Sequence, residues 1–316
     1  MDCTVKDFLN EKLVVLQEIH MAEDNLEDLF YDYFLDEYLP KQQIASPILG
    51  STKSITDLKL SDVKKFYQDV YTGSNIIVSV AGQVQHEDLL VLTKKYLSKK
   101  KKLTATRKKW MQDYSKLQFQ PFRKCIEKPV EQLHFLMGFP STSFKDPLRF
   151  EAFIVNAYLG GGMTSRLYQE VRENRGLVYD IHSSINSFYD GGMLNIYAAC
   201  EPNNMASVLK QIQKEVEKLL NDGMKQSAVD MFKTQVIGSI MLGADDMENR
   251  MQSIAVNEMV YGAYRAPEKV IAEIQKVSRS SVQKYLQKYI NPKKIGAIWM
   301  GAQAEQKASE LQSFWK

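Results

Sequence analysis

The sequence predicts an α+β protein in which one helix-and-strand domain occurs twice in tandem, the first copy lacking its N-terminal part. Three observations carry this expectation. Apolar residues recur at helical spacing through long stretches, and β-branched runs ended by glycine alternate with them. One segment also aligns with a later one, without a gap, so that Ile55 falls on Ile274.

Residues 4–39 read as helix. Val5, Phe8, Leu9, Leu13, Leu16 and Ile19 form a stripe at three- and four-residue spacing, which Leu26, Leu29, Phe30 and Phe34 resume. Asp24 and Asn25 stand between the stretches as capping residues. Ser61-Asp62 opens a short helix over 63–71, the β-branched run 76–82 predicts a strand ended by Gly82, and a helix follows over 87–97. Residues 98–110 carry seven basic side chains and no acid. Such a block reads as a solvated linker rather than a nucleic-acid patch, because no interleaved aromatics or glycine-rich motif accompany it. Beyond it, 124–139 reads as strand and 147–159 as helix, Gly160-Gly161-Gly162 as a flexible break, and 165–174 as a second helix. Strands follow over 178–188 and 192–200, then helices over 205–220 and 225–261.

The repeat sets the organisation. At the offset that puts Ile55 on Ile274, Ser61 meets Ser280, Val63 meets Val282, Phe66 meets Tyr285, Ile76 meets Ile295 and Gly82 meets Gly301. Each copy is a helix followed by a strand ending in glycine. The second copy begins near Arg123, so the matching start of the first falls well ahead of position 1. The expected domains are 1–104, the rear part of a first domain; 105–122, a basic linker; and 123–316, a complete second domain.

Composition narrows the function. The 316 residues hold 41 basic and 38 acidic side chains, a surplus of +3 that is too small to argue for a nucleic-acid binder. No apolar run approaches the ~18 residues that span a bilayer. The start, MDCTVKDFLNEKLVV, lacks the basic and apolar regions of a secretory signal, and Cys3, Cys125 and Cys200 form no CxxC pair. A cytoplasmic location with reduced thiols is expected.

Few residues carry chemistry on spacing alone. Glu11 and Glu18, seven apart, point from one helix face, as surface-solvating glutamates also do. The four histidines, His20, His86, His134 and His182, are scattered. His20-Met21-Ala22-Glu23-Asp24 approaches a metal motif, but Asp24 stands where a second histidine belongs. The triple glycine follows a predicted helix and lacks a P-loop lysine.

The segment GGGMTSRLYQEVRENRGLVYDIHS, 160–183, closely resembles the signature of the second domain in the pitrilysin, insulinase and mitochondrial-processing-peptidase family of inverted-motif zinc peptidases. EKLVVLQEIHMAEDNLEDLFYDYF with SPILGSTKSI resembles the stretch of the first domain that supplies the third zinc ligand, and DPLRFEAFIVNAYLGGG fits as well. The resemblance runs through essentially the whole chain and favours the bacterial processing-peptidase branch. It implies repeated αβ domains, each an antiparallel or mixed sheet packed against helices. Glu18 matches the carboxylate zinc ligand, and Glu11 the second glutamate that supports the site. Arg172 and Tyr179 match groups that hold the peptide and stabilise the reacting carbonyl, where an oxyanion donor is worth several kcal/mol.

The departure is as informative. H-x-x-E-H, the source of two histidine ligands and the water-activating glutamate, occurs nowhere in the 316 residues. The resemblance therefore implies a zinc metallopeptidase that cleaves short or unfolded polypeptides when complete, with zinc as the complete enzyme's cofactor. This chain alone is expected to be inactive and without zinc. A chain supplying the missing N-terminal half, or a homologous subunit, is the implied partner. The alternative is a non-catalytic peptide-binding or scaffolding subunit.

Overall fold

The computed structural model describes residues 2–24, 26–97 and 116–315. The chain forms two compact units, one from Met1–Leu29, Ser46–Ser115 and Gly243–Arg265, the other from Phe30–Ala45, Lys116–Leu242 and Ala266–Lys316. The basic run 98–110 lies outside the described residues.

The described part of the first unit is helical. The helix Val5–Asp24 opens on a reciprocal cap, Thr4 Oγ1 accepting from the Asp7 N–H while the Thr4 N–H donates to Asp7 Oδ2. Lys12 Nζ donates to Thr56 O at 2.7 Å and Leu58 O at 3.1 Å. A cation is thereby placed on the unsatisfied carbonyls that end the helix Thr52–Asp57. Helices Leu60–Val70, His86–Leu97 and Met247–Tyr261 follow. The single helix expected over 225–261 is two, Gln226–Asp245 and Met247–Tyr261, because Asp246 leaves the helical conformation and caps the second by accepting from the Asn249 N–H.

The strand expected over 76–82 does not form. A β-branched run becomes a strand only when a neighbour supplies the ladder, and no strand is described in this unit. Ser79 Oγ instead donates to Met251 O at 2.7 Å. The helices Leu60–Val70 and Arg279–Tyr289 do keep the offset of the repeat, as do the 3₁₀ turns Gly73–Asn75 and Pro292–Lys294.

The second unit is an α+β domain built on one mixed sheet in the order β1-β5-β2-β4-β3, with β1 Phe122–Glu127, β2 Leu133–Ser141, β3 Asp180–Ser187, β4 Gly192–Cys200 and β5 Gly296–Gly301. β1 runs parallel to β5, and the other pairings are antiparallel. The single strand expected over 124–139 is therefore two strands that do not pair with each other. Pro129 stands in the break between them, and β5 lies between the two in the sheet.

Alternation sets the faces. Leu133, Phe135, Met137 and Phe139 of β2, Leu194, Ile196 and Ala198 of β4, and Ala297 and Trp299 of β5 enter one core. Helices Arg149–Leu159, Met205–Asp222 and Arg279–Tyr289 contribute to the same core. On the opposite face Phe34 and Tyr38 of the helix Leu26–Tyr38 press so close that a Cβ on Gly138 would lie 2.7 Å from the Phe34 ring, and one on Gly296 2.7 Å from the Tyr38 ring. Among the described residues no helix is long and apolar enough to cross a membrane.

Candidate functional site

The helix Arg149–Leu159 ends at Gly160, where a Cβ would lie 2.5 Å from the Ser183 backbone nitrogen. Only glycine lets this helix end rest on β3. The triple glycine is thus a docked turn rather than the flexible break expected from the sequence. The Ser183 N–H donates to Gly160 O at 2.9 Å, and Ser183 Oγ donates to Asn156 Oδ1 at 2.8 Å.

β3 is the outermost strand of its sheet. Since the Ser183 N–H points away from β4, strand alternation turns the backbone groups of Ile181 and Ile185 the same way. No other described strand lies on that side. The edge borders a cleft of about 490 Å³ whose other walls include the Gly160–Met163 turn and Tyr168.

Arg172 and Tyr179 flank a turn that lies in sequence between the cleft-lining Tyr168 and Asp180, although neither lines the cleft itself. The helix expected over 165–174 widens into a π-helical segment, Tyr168–Glu173, closed by the Asn174 N–H on Gln169 O at 2.9 Å. Gly176, at φ +61°, reverses the chain, after which the Leu177 N–H returns to Val171 O at 3.1 Å and the Tyr179 N–H bonds Ala199 O at 2.8 Å. The Arg172 guanidinium lies 5.1 Å from the centre of the Tyr168 ring. Tyr179 is exposed and donates its hydroxyl hydrogen to Glu201 Oε1 at 3.1 Å. That hydrogen bond, with the Glu201 charge behind it, pushes the phenol above its ordinary value, so Tyr179 keeps its proton at neutral pH and is a donor.

Glu11 and Glu18 lie in the other unit, both exposed on the helix Val5–Asp24 and separated by two turns, a rise of about 10 Å. Neither carboxylate has a hydrogen bond or ion pair among the described residues. Glu11 and Glu18 thus belong to one unit, and Arg172 and Tyr179 to the other. His134 Nδ1 is 2.7 Å from Tyr197 Oη, and His182 Nδ1 is 2.9 Å from Asp180 Oδ2. Among the described residues no three His, Cys, Asp or Glu side chains are placed to hold a metal ion. Structural zinc takes four protein ligands and catalytic zinc three. One exposed glutamate therefore does not fit zinc by itself.

Sequence reasoning missed several groups here. Glu201, Ser183 and the outward edge of β3 left no local signal. An alternating set of charges also passed unnoticed, comprising Arg166, Glu170, Arg175 and the buried Glu215. Only Arg166 and Glu170, four apart on a helix, form a pair that spacing reveals.

Comparison with known proteins adds a family model described as the peptidase M16 inactive domain, which matches residues 57–236. An uncharacterized zinc protease of Mycobacterium leprae is 29% identical over 310 residues, covering 98% of this chain and 69% of its own length. The crystal structure of a peptidase M16 inactive domain from Pseudomonas fluorescens superposes with a TM-score of 0.83 at 19% identity, over 95% of this chain and 71% of its own. A chain of complex III2 from Candida albicans does so with a TM-score of 0.81 at 14% identity, over 96% of this chain and 74% of its own. At these identities the two structures speak for the fold alone.

Proposed function

Because the chain belongs to the peptidase M16 family, we propose that it is the peptide-holding part of a zinc metallopeptidase that hydrolyses short or unfolded polypeptides, with the H-x-x-E-H histidines supplied from outside these 316 residues. Residues 1–104 are the rear of a first domain, 105–122 a linker and 123–316 a second domain of the same kind. The helices and turns that match at the offset of the repeat support this tandem reading. Glu18 is the carboxylate offered to the metal, and Glu11 supports it.

The observation that carries the peptide-holding role is the edge of β3 beside the cleft, with which no other described strand pairs, although the Ser183 N–H is already taken by Gly160 O. An extended peptide adds to such an edge through its own backbone groups, largely without regard to sequence. Tyr179 stands at the start of that edge with a hydroxyl donor, and Arg172 lies over Tyr168 at the cleft wall. A peptide carbonyl or carboxylate meets the Arg172 cation there, and takes the Tyr179 hydroxyl hydrogen only in exchange for its bond to Glu201. No chemical step is assigned to this chain, since the donors among its described residues do not make a metal site.

Two measurements test this reading. Fluorescence anisotropy with a labelled unstructured peptide is expected to show binding that weakens about tenfold or more in Arg172→Ala, the worth of one charge-assisted hydrogen bond. Wild-type affinity in both Arg172→Ala and Tyr179→Phe would remove these residues from the role. Elemental analysis is expected to find zinc well below one per chain. Mixing with a polypeptide that carries H-x-x-E-H is expected to bring zinc and peptidase activity, both lost with Glu18→Gln. A mixture that binds peptide yet gains neither would leave the chain as a non-catalytic peptide-binding or scaffolding subunit.

A further inference from the structure

We infer that Glu215, Arg166, Glu170 and Arg175 form a relay of positioning residues that fixes the turn from Arg172 to Tyr179, between the cleft-lining Tyr168 and Asp180. The inference rests on the peptide-holding role proposed for that turn.

The four charges alternate along one path. Glu215, on the helix Met205–Asp222, has a side chain only 4% exposed. Gln211 Nε2 donates to its Oε1 at 3.1 Å, while Arg166 donates to its Oε2 from Nε at 3.1 Å and Nη2 at 3.0 Å. Arg166 Nη2 also lies 3.2 Å from Glu170 Oε1. Glu170 Oε2 then accepts from Arg175 Nη1 at 2.9 Å, and the same nitrogen donates to the Glu170 carbonyl at 2.5 Å.

Each link bears on the turn. A carboxylate as buried as Glu215 requires a paired cation, so Arg166 is held in one place. Arg166 stands just before the π-helical segment Tyr168–Glu173, Glu170 lies inside that segment, and Arg175 lies just beyond it. π-Helical hydrogen bonding is rare and local, so side-chain ties at both ends are what such a segment needs to keep its shape. Arg172 projects from this segment, and Tyr179 follows the Gly176 reversal. Exposed ion pairs alone contribute little. Here the outer pair, Arg175 with Glu170, is joined through Arg166 to a buried anchor, and the anchor makes the difference.

Hydrogen exchange on the full chain tests the relay. Arg166→Gln strands the buried Glu215 and risks unfolding the domain, so the variants are Glu170→Gln and Arg166→Lys. In Glu170→Gln, exchange of the Leu177 and Tyr179 amides is expected to rise about tenfold while β4 amides keep their wild-type rates, the signature of a local opening. Peptide affinity is expected to fall, and the double variant with Arg172→Ala to lose less than the sum of the two single losses, because both changes act on one element. Unchanged exchange at Leu177 in both variants would overturn the relay. Exchange rising equally through β4 would overturn it too, since that is what a purely structural role produces. If Leu177 exchange responds but neither Glu170→Gln nor Arg172→Ala alters peptide binding, the relay stands and the peptide-holding role falls.

Discussion

At Gly160 a single hydrogen atom in place of a methyl group lets a helix end dock on an edge strand. In Gly160→Ala the new Cβ meets the Ser183 backbone at 2.5 Å, and neither segment yields cheaply. Overpacking of this kind typically costs about 1–3 kcal/mol, and a lowered urea midpoint is the expected result. Gly238 provides the opposite case. It sits inside the helix Gln226–Asp245, where an added Cβ would meet nothing within 4 Å. Gly238→Ala is expected to raise the midpoint, by about 0.5–1 kcal/mol of helix propensity. The sequence shows glycine at both positions but not this difference, because the obstacle at Gly160 is Ser183, on a strand beyond the next helical segment. The same distance problem hid the partners of the candidate site. Tyr179 bonds Glu201 and Arg166 bonds Glu215, each on an element the local pattern does not reach. Glu11, Glu18, Arg172 and Tyr179 were singled out through the family resemblance, since helical spacing alone marks Glu11 and Glu18 no more than any surface glutamates.

Between elements, Asp146 ties the entry of the helix Arg149–Leu159 to the end of the helix Arg279–Tyr289. Its Oδ1 accepts from the Leu148 N–H at 2.8 Å, while its Oδ2 accepts from the Tyr289 hydroxyl and from Lys288 Nζ at 3.1 Å. Burial pushes this carboxyl upward, but the hydrogen bonds from Tyr289, Leu148 and Lys288 together outweigh it and hold the group below its ordinary 3.8. A carboxyl lowered by folding contributes stability above its unfolded value, and that contribution is lost as pH falls through the folded one. Urea midpoints between pH 6 and pH 2.5 are therefore expected to fall from about pH 4 downward, with a shallower fall in Asp146→Asn. Identical slopes would show that the tie carries no pH dependence. At this scale the sequence was informative about helices, whose stripes and caps are local. It was poor on strands. The run 76–82 has the composition of a strand without a described neighbour, and 124–139 concealed a break, because pairing is decided by residues far away in the chain.

For the whole molecule, the two units differ in how well they cover their apolar residues. The sheet domain buries Phe135, Met137, Ile196 and Trp299 completely. In the other unit Val5, Leu9, Leu13, Ile77 and Val78 remain exposed, the kind of surface that a companion segment would cover.

The position of β5 also fixes an order of events during synthesis. It is an interior strand, bonded to β1 on one side and β2 on the other, yet the whole of 142–295 is made between the end of β2 and its own first residue. While a ribosome makes the intervening chain, β1 and β2 can each present a bare edge with the slot between them vacant. Such long-range closure is slow and leaves nascent strands open to mispairing. The sheet is completed only when the last strand to emerge enters between two strands made long before it, so a chaperone that shields β2 during translation would act at the most vulnerable point of this chain.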